Sequence, residues 1–176
     1  HHDRPIARPI DDSVVRVMGT RTVTIRLARG LAPLALPLPA FPPTLAVGGY
    51  LKSAVAWSNG LQCVLGPHLG DQESVSARER YLEQVEDVRK LYRFDPQTFV
   101  HDLHPDYFSS YWARQQGRPC WAVQHHHAHV VAGMLEHGWL DRTVLGVAWD
   151  GTGYGQNGSI WGGEFLIADW RSFRRV

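Results

Sequence analysis

Strand-like and helix-like segments alternate from Thr44 onward, and this alternation restricts the fold more than any other feature of the sequence. Three strand-like runs come first. Asn59-Gly60 is predicted to join the second and third as a hairpin, because both residues tolerate positive φ. Helices are then predicted over 72–94, over 107–116 and from near Gln124 to Gly138, with a strand before each of the last two. The order β-β-β-α-β-α-β-α indicates an α/β fold with a sheet covered on both faces.

The first forty residues follow a different pattern. Two short strands over 12–18 and 22–26 are predicted to form a hairpin with too few partners to be stable alone. Prolines then recur at positions 37, 39, 42 and 43, a density that predicts an extended linker over 33–43. We therefore expect a β-rich tail of a preceding domain at 1–32, a first lobe at 44–140 and the start of a second, incomplete lobe at 141–176. The first residue is not Met, which suggests a start inside a longer protein.

Composition excludes some classes of protein. The net charge of +1 gives no nucleic-acid footprint. Two cysteines, Cys63 and Cys120, make no disulfide framework and fit a reducing, cytoplasmic location. The polar start is not a signal peptide, and no apolar stretch is long enough to span a bilayer, so no membrane partner is expected.

A histidine run at 125–127 and 129 is the strongest candidate site. If a helix begins near Gln124, His125 and His129 lie at i and i+4 on one face, where two imidazoles can bind one metal ion. The alternative is a polar helix start whose imidazoles cap backbone groups or face solvent. The residue after His125 is not Glu, so the pattern of the zinc peptidases is absent.

Asp150 is the candidate for a third ligand. It ends the strand-like run 143–149 and precedes glycines, which is where open α/β sheets present ligand-binding groups. A His/His/Asp set suits zinc, iron or manganese. Alternatively, Asp150 forms an Asx turn that only shapes the loop.

Three glycine-containing segments are candidates for phosphate binding, because their backbone N–H groups can approach an anion without a Cβ in the way. A lysine in the first segment could add a positive charge. None matches the Walker pattern, and a turn or bulge is the alternative interpretation. The candidate residues are Gly48, Gly49, Lys52, Gly151, Thr152, Gly153, Gly162 and Gly163.

The element order is that of the ribonuclease-H-like lobe found in actin-like (ASKHA) proteins, and six motifs occur along the chain in register. Together they closely resemble the HypF carbamoyltransferases, which are maturation factors of nickel-iron hydrogenases. The motifs are Ala46-Val47-Gly48-Gly49-Tyr50-Leu51-Lys52, His68-Leu69-Gly70-Asp71, His101-Asp102-Leu103-His104-Pro105-Asp106-Tyr107, Val123-Gln124-His125-His126-His127-Ala128-His129, Trp149-Asp150-Gly151-Thr152-Gly153-Tyr154-Gly155 and Ile160-Trp161-Gly162-Gly163-Glu164-Phe165.

The resemblance implies a domain organisation and a chemistry. Residues 1–32 resemble the end of a YrdC-like domain, and residues from Thr44 resemble the first lobe of a Kae1-like domain. The family uses ATP with Mg²⁺ and carbamoyl phosphate to form carbamoyl-adenylate, and it passes the carbamoyl group to the C-terminal cysteine of its partner HypE. Carried to this chain, the family's metal ligands fall on His125, His129 and Asp150, and the expected metal is one Zn or Fe ion.

The resemblance also suggests residues that line an active cleft, although a hydrogen-bonded loop position is an equal alternative for them. These candidates are His68, His101, His104, Asp106 and His126. The attacking cysteine comes from the partner, so no nucleophile is assigned. We expect the chain alone to be inactive. The competing hypotheses are another Kae1-like carbamoyltransferase and a non-catalytic metal-binding fragment.

Overall fold

The computed structural model describes residues 3–38 and 41–176, so Pro39 of the predicted linker lies outside the described residues. The chain forms two compact units, His1–Gln97 and Thr98–Val176. This division lies inside the segment 44–140 that the sequence suggested as one lobe. The assignment of residues 1–32 to a preceding domain stays a prediction.

The first unit opens with the predicted hairpin. Strands β1 (Val14–Met18) and β2 (Arg21–Arg26) pair antiparallel. Gly19 in the turn has φ +63°, a conformation that glycine adopts at no steric cost. The strand residues are exposed apart from the half-buried Arg26, so the hairpin contributes little to the core.

Four further strands of the first unit pair antiparallel in the order β3-β6-β5-β4. They are β3 (Leu34–Pro37), β4 (Thr44–Ala46), β5 (Ala56–Ser58) and β6 (Gln62–Leu65). The Asn59-Gly60 hairpin is thereby confirmed, with Gly60 at φ +103°. The prediction of an extended linker over 33–43 is wrong at β3, because this strand pairs with β6. Proline is tolerated there because β3 is an edge strand and Pro37 is its last residue.

Helix α1 (Val75–Leu91) is shorter than the predicted 72–94. Its start is fixed by Ser74, whose Oγ accepts a hydrogen bond from the Ala77 N–H at 3.1 Å. The helix buries Tyr81, Val85 and Val88, whereas Val75 and Leu91 near its two ends are exposed.

The second unit follows the predicted alternation and adds one strand, β11, that the sequence did not indicate. Strands β7 and β8 are parallel, and β9, β10 and β11 form an antiparallel sheet. The elements are β7 (Thr98–Asp102), α2 (Phe108–Arg114), β8 (Cys120–Val123), α3 (His125–Glu136), β9 (Val144–Tyr154), β10 (Ile160–Ala168) and β11 (Phe173–Arg175). Among the described residues, no helix has the length and apolarity needed to cross a membrane.

The core of the second unit lies between α3 and the sheet. Trp161, Leu166 and Ala168 of β10 are buried there, with Val130 of α3 packed against them. Gly146 of β9 allows a close approach, because a Cβ at this position would lie 2.4 Å from a methyl carbon of Val130. This packing holds α3 directly against the strand that carries Asp150.

Candidate metal centre

The start of α3 fixes the two candidate histidine ligands. Gln124 is the N-cap, and its side-chain oxygen accepts a hydrogen bond from the His127 N–H at 2.9 Å. The helix therefore begins at His125, as the sequence predicts, and His125 and His129 lie one turn apart on the same face.

Asp150 reaches the histidines from within β9, so its predicted position at a strand end is wrong. The strand continues to Tyr154 because Gly153 and Tyr154 pair with β10. The ladder is irregular at this point: Trp149 pairs with Gly163 and Gly153 pairs with Trp161, which leaves residues 150–152 opposite Gly162 alone. Asp150 lies on the same face of β9 as Gly146 and Ala148, because side chains alternate along a strand, and this face packs against α3.

Three ligand atoms converge at this point. Nε2 of His125 lies 2.8 Å from Oδ2 of Asp150 and 3.1 Å from Nε2 of His129, and the third separation, from His129 to Asp150, is 3.7 Å. Tetrahedral zinc with bonds of about 2.0–2.1 Å separates its ligands by about 3.3 Å, which matches the mean of these distances. In the part of the chain described, these residues form the cluster with metal-ligand spacing.

The chemistry of the ligand atoms also supports a metal site. Oδ2 of Asp150 is buried and has no hydrogen-bond donor with good geometry among the described residues, although His125 Nε2 lies 2.8 Å away. A buried carboxylate oxygen without a donor is costly unless a cation compensates it. Two imidazoles and a carboxylate fit zinc or iron, so the residues present fit the predicted ion.

A second carboxylate contacts the cluster from β7. Nδ1 of His125 lies 2.6 Å from Oδ2 of Asp102, whose side chain is 7% exposed. Burial alone would raise the pKa of Asp102, but the hydrogen bonds from His125 and from the His104 N–H lower it below its ordinary value. For His125, the hydrogen bond to Asp102 outweighs burial, and the nearby carboxylates help to raise its pKa.

His129 has the opposite electrostatic environment. Although 59% of its side chain is exposed, burial of the remainder, together with the positive charge of His125, lowers its pKa. Burial and the charges of Asp102 and Asp150 raise the pKa of Tyr107, which places this phenol in the field of the same two carboxylates. The site thus favours a neutral His129 and a neutral tyrosine.

Asp102 is the residue that the sequence analysis did not single out. It lies in the third motif, but the neighbouring histidines were chosen as candidates instead. The sequence signal for Asp102 is indirect. Residues that end adjacent parallel strands lie side by side, so a predicted parallel pairing of β7 with β8 would place Asp102 next to the start of α3, which follows β8.

Two predicted cleft residues are buried instead, and the cleft-lining interpretation is wrong for them. His126 is fully buried: its Nε2 donates to the Gly162 carbonyl at 2.7 Å, and its Nδ1 accepts from Gln124 Nε2 at 2.9 Å. His101 is 6% exposed, and its Nδ1 lies 2.6 Å from the Asp102 carbonyl. These imidazoles satisfy buried backbone groups, which is the alternative that the sequence left open.

The remaining candidates differ in their surroundings. His104 is half-buried and stacks on Tyr107, with ring centroids 4.1 Å apart, and it meets Tyr154 edge to face. Asp106 is exposed, and its N–H donates to Nδ1 of His104. His68 belongs to the first unit, where Nδ1 lies 3.1 Å from Oδ2 of Asp11. Its role in a cleft stays a prediction.

The first glycine segment forms a tightly held loop in the first unit. Gly48 has φ +69°, and a Cβ there would lie 2.4 Å from the Ala54 carbonyl oxygen. Lys52 also has positive φ, at +48°, and its N–H donates to Oδ1 of Asp71 at 2.6 Å. The buried Gln72 amide donates to the Gly49 carbonyl at 3.3 Å. These contacts hold the loop backbone, and its lysine is exposed, which is compatible with anion binding.

The other two glycine segments lie in strands, and their role in phosphate binding stays a prediction. Gly151, Thr152 and Gly153 lie in β9, and Gly162 and Gly163 lie in β10. A Cβ at Gly153 would lie 2.5 Å from Cε1 of His126. Gly153 therefore permits close packing of β9 against α3, and Gly162 supplies the carbonyl that His126 contacts.

In this two-unit α/β chain, two histidines of a helix and an aspartate of the next strand converge. This arrangement defines a class of protein with a candidate mononuclear metal centre. Comparison with known proteins identifies the family. The family model described as the HypF Kae1-like domain matches residues 39–136, and the model for the second subdomain of the carbamoyltransferase Kae1-like domain matches residues 146–176. The chain belongs to the HypF family and contains part of its Kae1-like domain.

Individual relatives agree with this assignment. Carbamoyltransferase HypF of Synechocystis sp. is 46% identical over 177 residues, which cover 99% of this chain and 23% of that protein. Carbamoyltransferase HypF of Rhodobacter capsulatus is 41% identical over 99% of this chain and 25% of its own length. A crystal structure of full-length HypF in the phosphate- and nucleotide-bound form matches 99% of this chain and 28% of its own, with 41% identity and a TM-score of 0.93. The chain thus spans about a quarter of these relatives.

Proposed function

We propose that the chain acts as the metal-binding part of a HypF-type carbamoyltransferase, within a ribonuclease-H-like lobe of the actin-like (ASKHA) plan. The convergence of His125, His129 and Asp150 carries the proposal, because it provides a cation site in a region similar to proteins named carbamoyltransferases. The strand and helix order of the chain is compatible with this plan.

In the proposed reaction, carbamoyl phosphate is hydrolysed to carbamate and phosphate, and the carbamate attacks the α-phosphorus of ATP, which releases pyrophosphate and gives carbamoyl-adenylate. The carbamoyl group then passes to the C-terminal cysteine of HypE. The cysteine thiol loses its proton to solvent, and its sulfur forms a bond to the carbamoyl carbon as the bond to the adenylate oxygen breaks, which yields a thiocarboxamide and AMP. Nucleotide use is supported by the related full-length HypF structure, which is described as phosphate- and nucleotide-bound.

Within this reaction, the ligand residues hold a zinc or iron ion, which when bound would polarise an oxygen of the reacting group and offset negative charge. His125 and His129 contribute Nε2 atoms, and Asp150 contributes Oδ2. The lowered pKa of His129 keeps this imidazole neutral and able to donate its lone pair near neutral pH. The raised pKa of Tyr107 keeps its phenol protonated, so it can donate a hydrogen bond beside the site.

The Gly48–Lys52 loop of the first unit is proposed to bind a phosphate group. Its backbone conformation is set by Gly48 and by the contacts of Lys52 and Gln72, so little entropy is lost when an anion binds. Lys52 supplies the positive charge. Gly151, Thr152 and Gly163 are weaker candidates for phosphate binding, since strand residues present fewer free N–H groups.

A chimera tests the proposed function. This chain replaces the matching 177-residue region of the Synechocystis relative, and transfer of the carbamoyl group from carbamoyl phosphate to a peptide of the HypE C-terminus is measured with ATP. We expect transfer by the chimera, a loss of about 100-fold or more on His129→Ala, and no transfer by this chain alone.

The matched control is Asp141→Asn, which removes an exposed carboxylate 3.6 Å from Arg142 in the same unit. This variant is expected to transfer at the rate of the unmodified chimera. Full transfer by His129→Ala would contradict the role of the metal site, and transfer by the isolated chain would contradict the expectation that it needs the rest of the protein.

A further inference from the structure

Asp102 joins the candidate site from a strand, whereas the histidines come from a helix. It ends β7 in register with Val123, which ends β8, and α3 begins two residues after Val123. This topology places the Asp102 carboxylate against the first turn of α3. Its Oδ2 lies 2.6 Å from Nδ1 of His125, the nitrogen that faces away from the ligand cluster.

The carboxylate is itself held in place. Its Oδ1 accepts a hydrogen bond from the His104 N–H at 2.8 Å, and the Asp102 carbonyl accepts one from Ser110 Oγ at 3.1 Å. With only 7% of its side chain exposed, Asp102 has little freedom to turn. The acceptor that His125 meets is therefore fixed by the fold.

A carboxylate can only accept hydrogen bonds. Oδ2 of Asp102 forms a hydrogen bond with Nδ1 of His125, whereas Oδ2 of Asp150, 2.8 Å from Nε2, forms none, so the single proton of a neutral His125 is assigned to Nδ1. The lone pair is then on Nε2, which is the atom that lies near His129 Nε2 and Asp150 Oδ2. We propose that Asp102 is a positioning residue that selects this tautomer and ring orientation of His125 and thereby strengthens metal binding. The inference uses the metal site of the proposed function but not the carbamoyl chemistry.

The substitution Asp102→Asn tests the inference with almost no change in shape. The amide oxygen can still accept from the His104 N–H, which turns the NH₂ group towards Nδ1 of His125. Nδ1 must then accept a hydrogen bond, and the proton moves to Nε2, where it blocks the ligand atom. Loss of such outer contacts to a ligand histidine lowers metal affinity by about 10- to 100-fold.

Two measurements are made on the full chain. Long-range ¹H–¹⁵N NMR of the metal-free protein, at a pH where His125 is neutral, shows which ring nitrogen carries the proton. Competition with a chromophoric chelator then gives the dissociation constant for Zn²⁺. We expect the Nδ1–H tautomer in the wild type, the Nε2–H tautomer in Asp102→Asn, and weaker Zn²⁺ binding by the stated factor in the variant. Asp141→Asn, which removes an 80% exposed carboxylate, is expected to change neither readout.

The two readouts separate the possible failures. A wild-type His125 protonated on Nε2 overturns the inference without any variant, so a poorly folded Asp102→Asn would not prevent the test. Equal Zn²⁺ affinity in the wild type and in a folded Asp102→Asn overturns the role of Asp102 alone. A wild type with the Nδ1–H tautomer that binds no Zn²⁺ overturns the metal site and, with it, the contribution of Asp102 to metal binding.

Discussion

His125 and Asp102 have pKa values displaced in opposite directions, and each displacement contributes to stability over a different pH range. The lowered pKa of Asp102 stabilises the fold above its ordinary value of 3.8, and this contribution is lost as the pH falls through the lowered value. The raised pKa of His125 stabilises the fold below 6.5, and its contribution is lost as the pH rises through the raised value. The charged pair is therefore most stabilising between these two ordinary values.

A comparison with His125→Gln measures this contribution in the metal-free chain. At about pH 5.5 we expect the wild type to be more stable by about 1.5–3 kcal/mol, the range for a hydrogen bond to a charged group. At alkaline pH the difference should narrow, because the folded state loses the charge on His125 as the pH rises through its raised pKa. Urea unfolding with a chelator present gives both values. A difference that stays constant or widens with pH would contradict the prediction.

Gly153 and Gly151 lie two residues apart in β9 and differ in the space around them. A Cβ at Gly153 would lie 2.5 Å from a ring carbon of the buried His126, which two hydrogen bonds hold in place, whereas a Cβ at Gly151 meets nothing within 4 Å. We expect Gly153→Ala to lower the free energy of unfolding by about 1–3 kcal/mol through overpacking. Gly151→Ala, the matched control, should change it by less than about 0.5 kcal/mol. Equal effects in thermal unfolding would disprove this packing role.

The N-caps of α1 and α3 provide a comparison between two helices. Gln124→Ala removes the hydrogen bond to the His127 N–H and the contact with His126, and Ser74→Ala removes the corresponding cap of α1. Each should lower stability by about 1 kcal/mol or more. Only Gln124→Ala should also weaken Zn²⁺ binding, because His125 lies in the first turn of α3. Chelator competition checks this, and equal Zn²⁺ affinity in the two variants would count against it.

Hydrophobic periodicity and turn chemistry were sufficient to predict the hairpins, the three helices and the spacing of His125 and His129, because these features are local in the sequence. The irregular ladder at Asp150 depends on which β10 residues lie opposite, and no local pattern encodes that register. Asp102 was missed for the same reason: its contact with His125, 23 residues away along the chain, follows from the pairing of β7 with β8.

The outer face of the β9–β10 sheet in the second unit is apolar and exposed. Residues on this face alternate with buried ones and pair across the two strands: Val147 with Phe165, and Leu145 with Ile167. Trp149 extends the face and is 85% exposed. Contiguous apolar surface of this kind marks an interaction site or a source of association.

We therefore expect the isolated chain to self-associate through this face at concentrations of about 1–100 μM. Val147→Lys places a charge at its centre, opposite Phe165, and should weaken association by about tenfold or more, since a buried valine contributes about 1.5 kcal/mol or more. Leu61→Lys is the matched control: Leu61 is 78% exposed at the β5–β6 hairpin of the first unit. Sedimentation velocity over this range measures both. A wild type that stays monomeric throughout, or a Leu61→Lys control that weakens association as much as Val147→Lys does, would show that this face does not drive association.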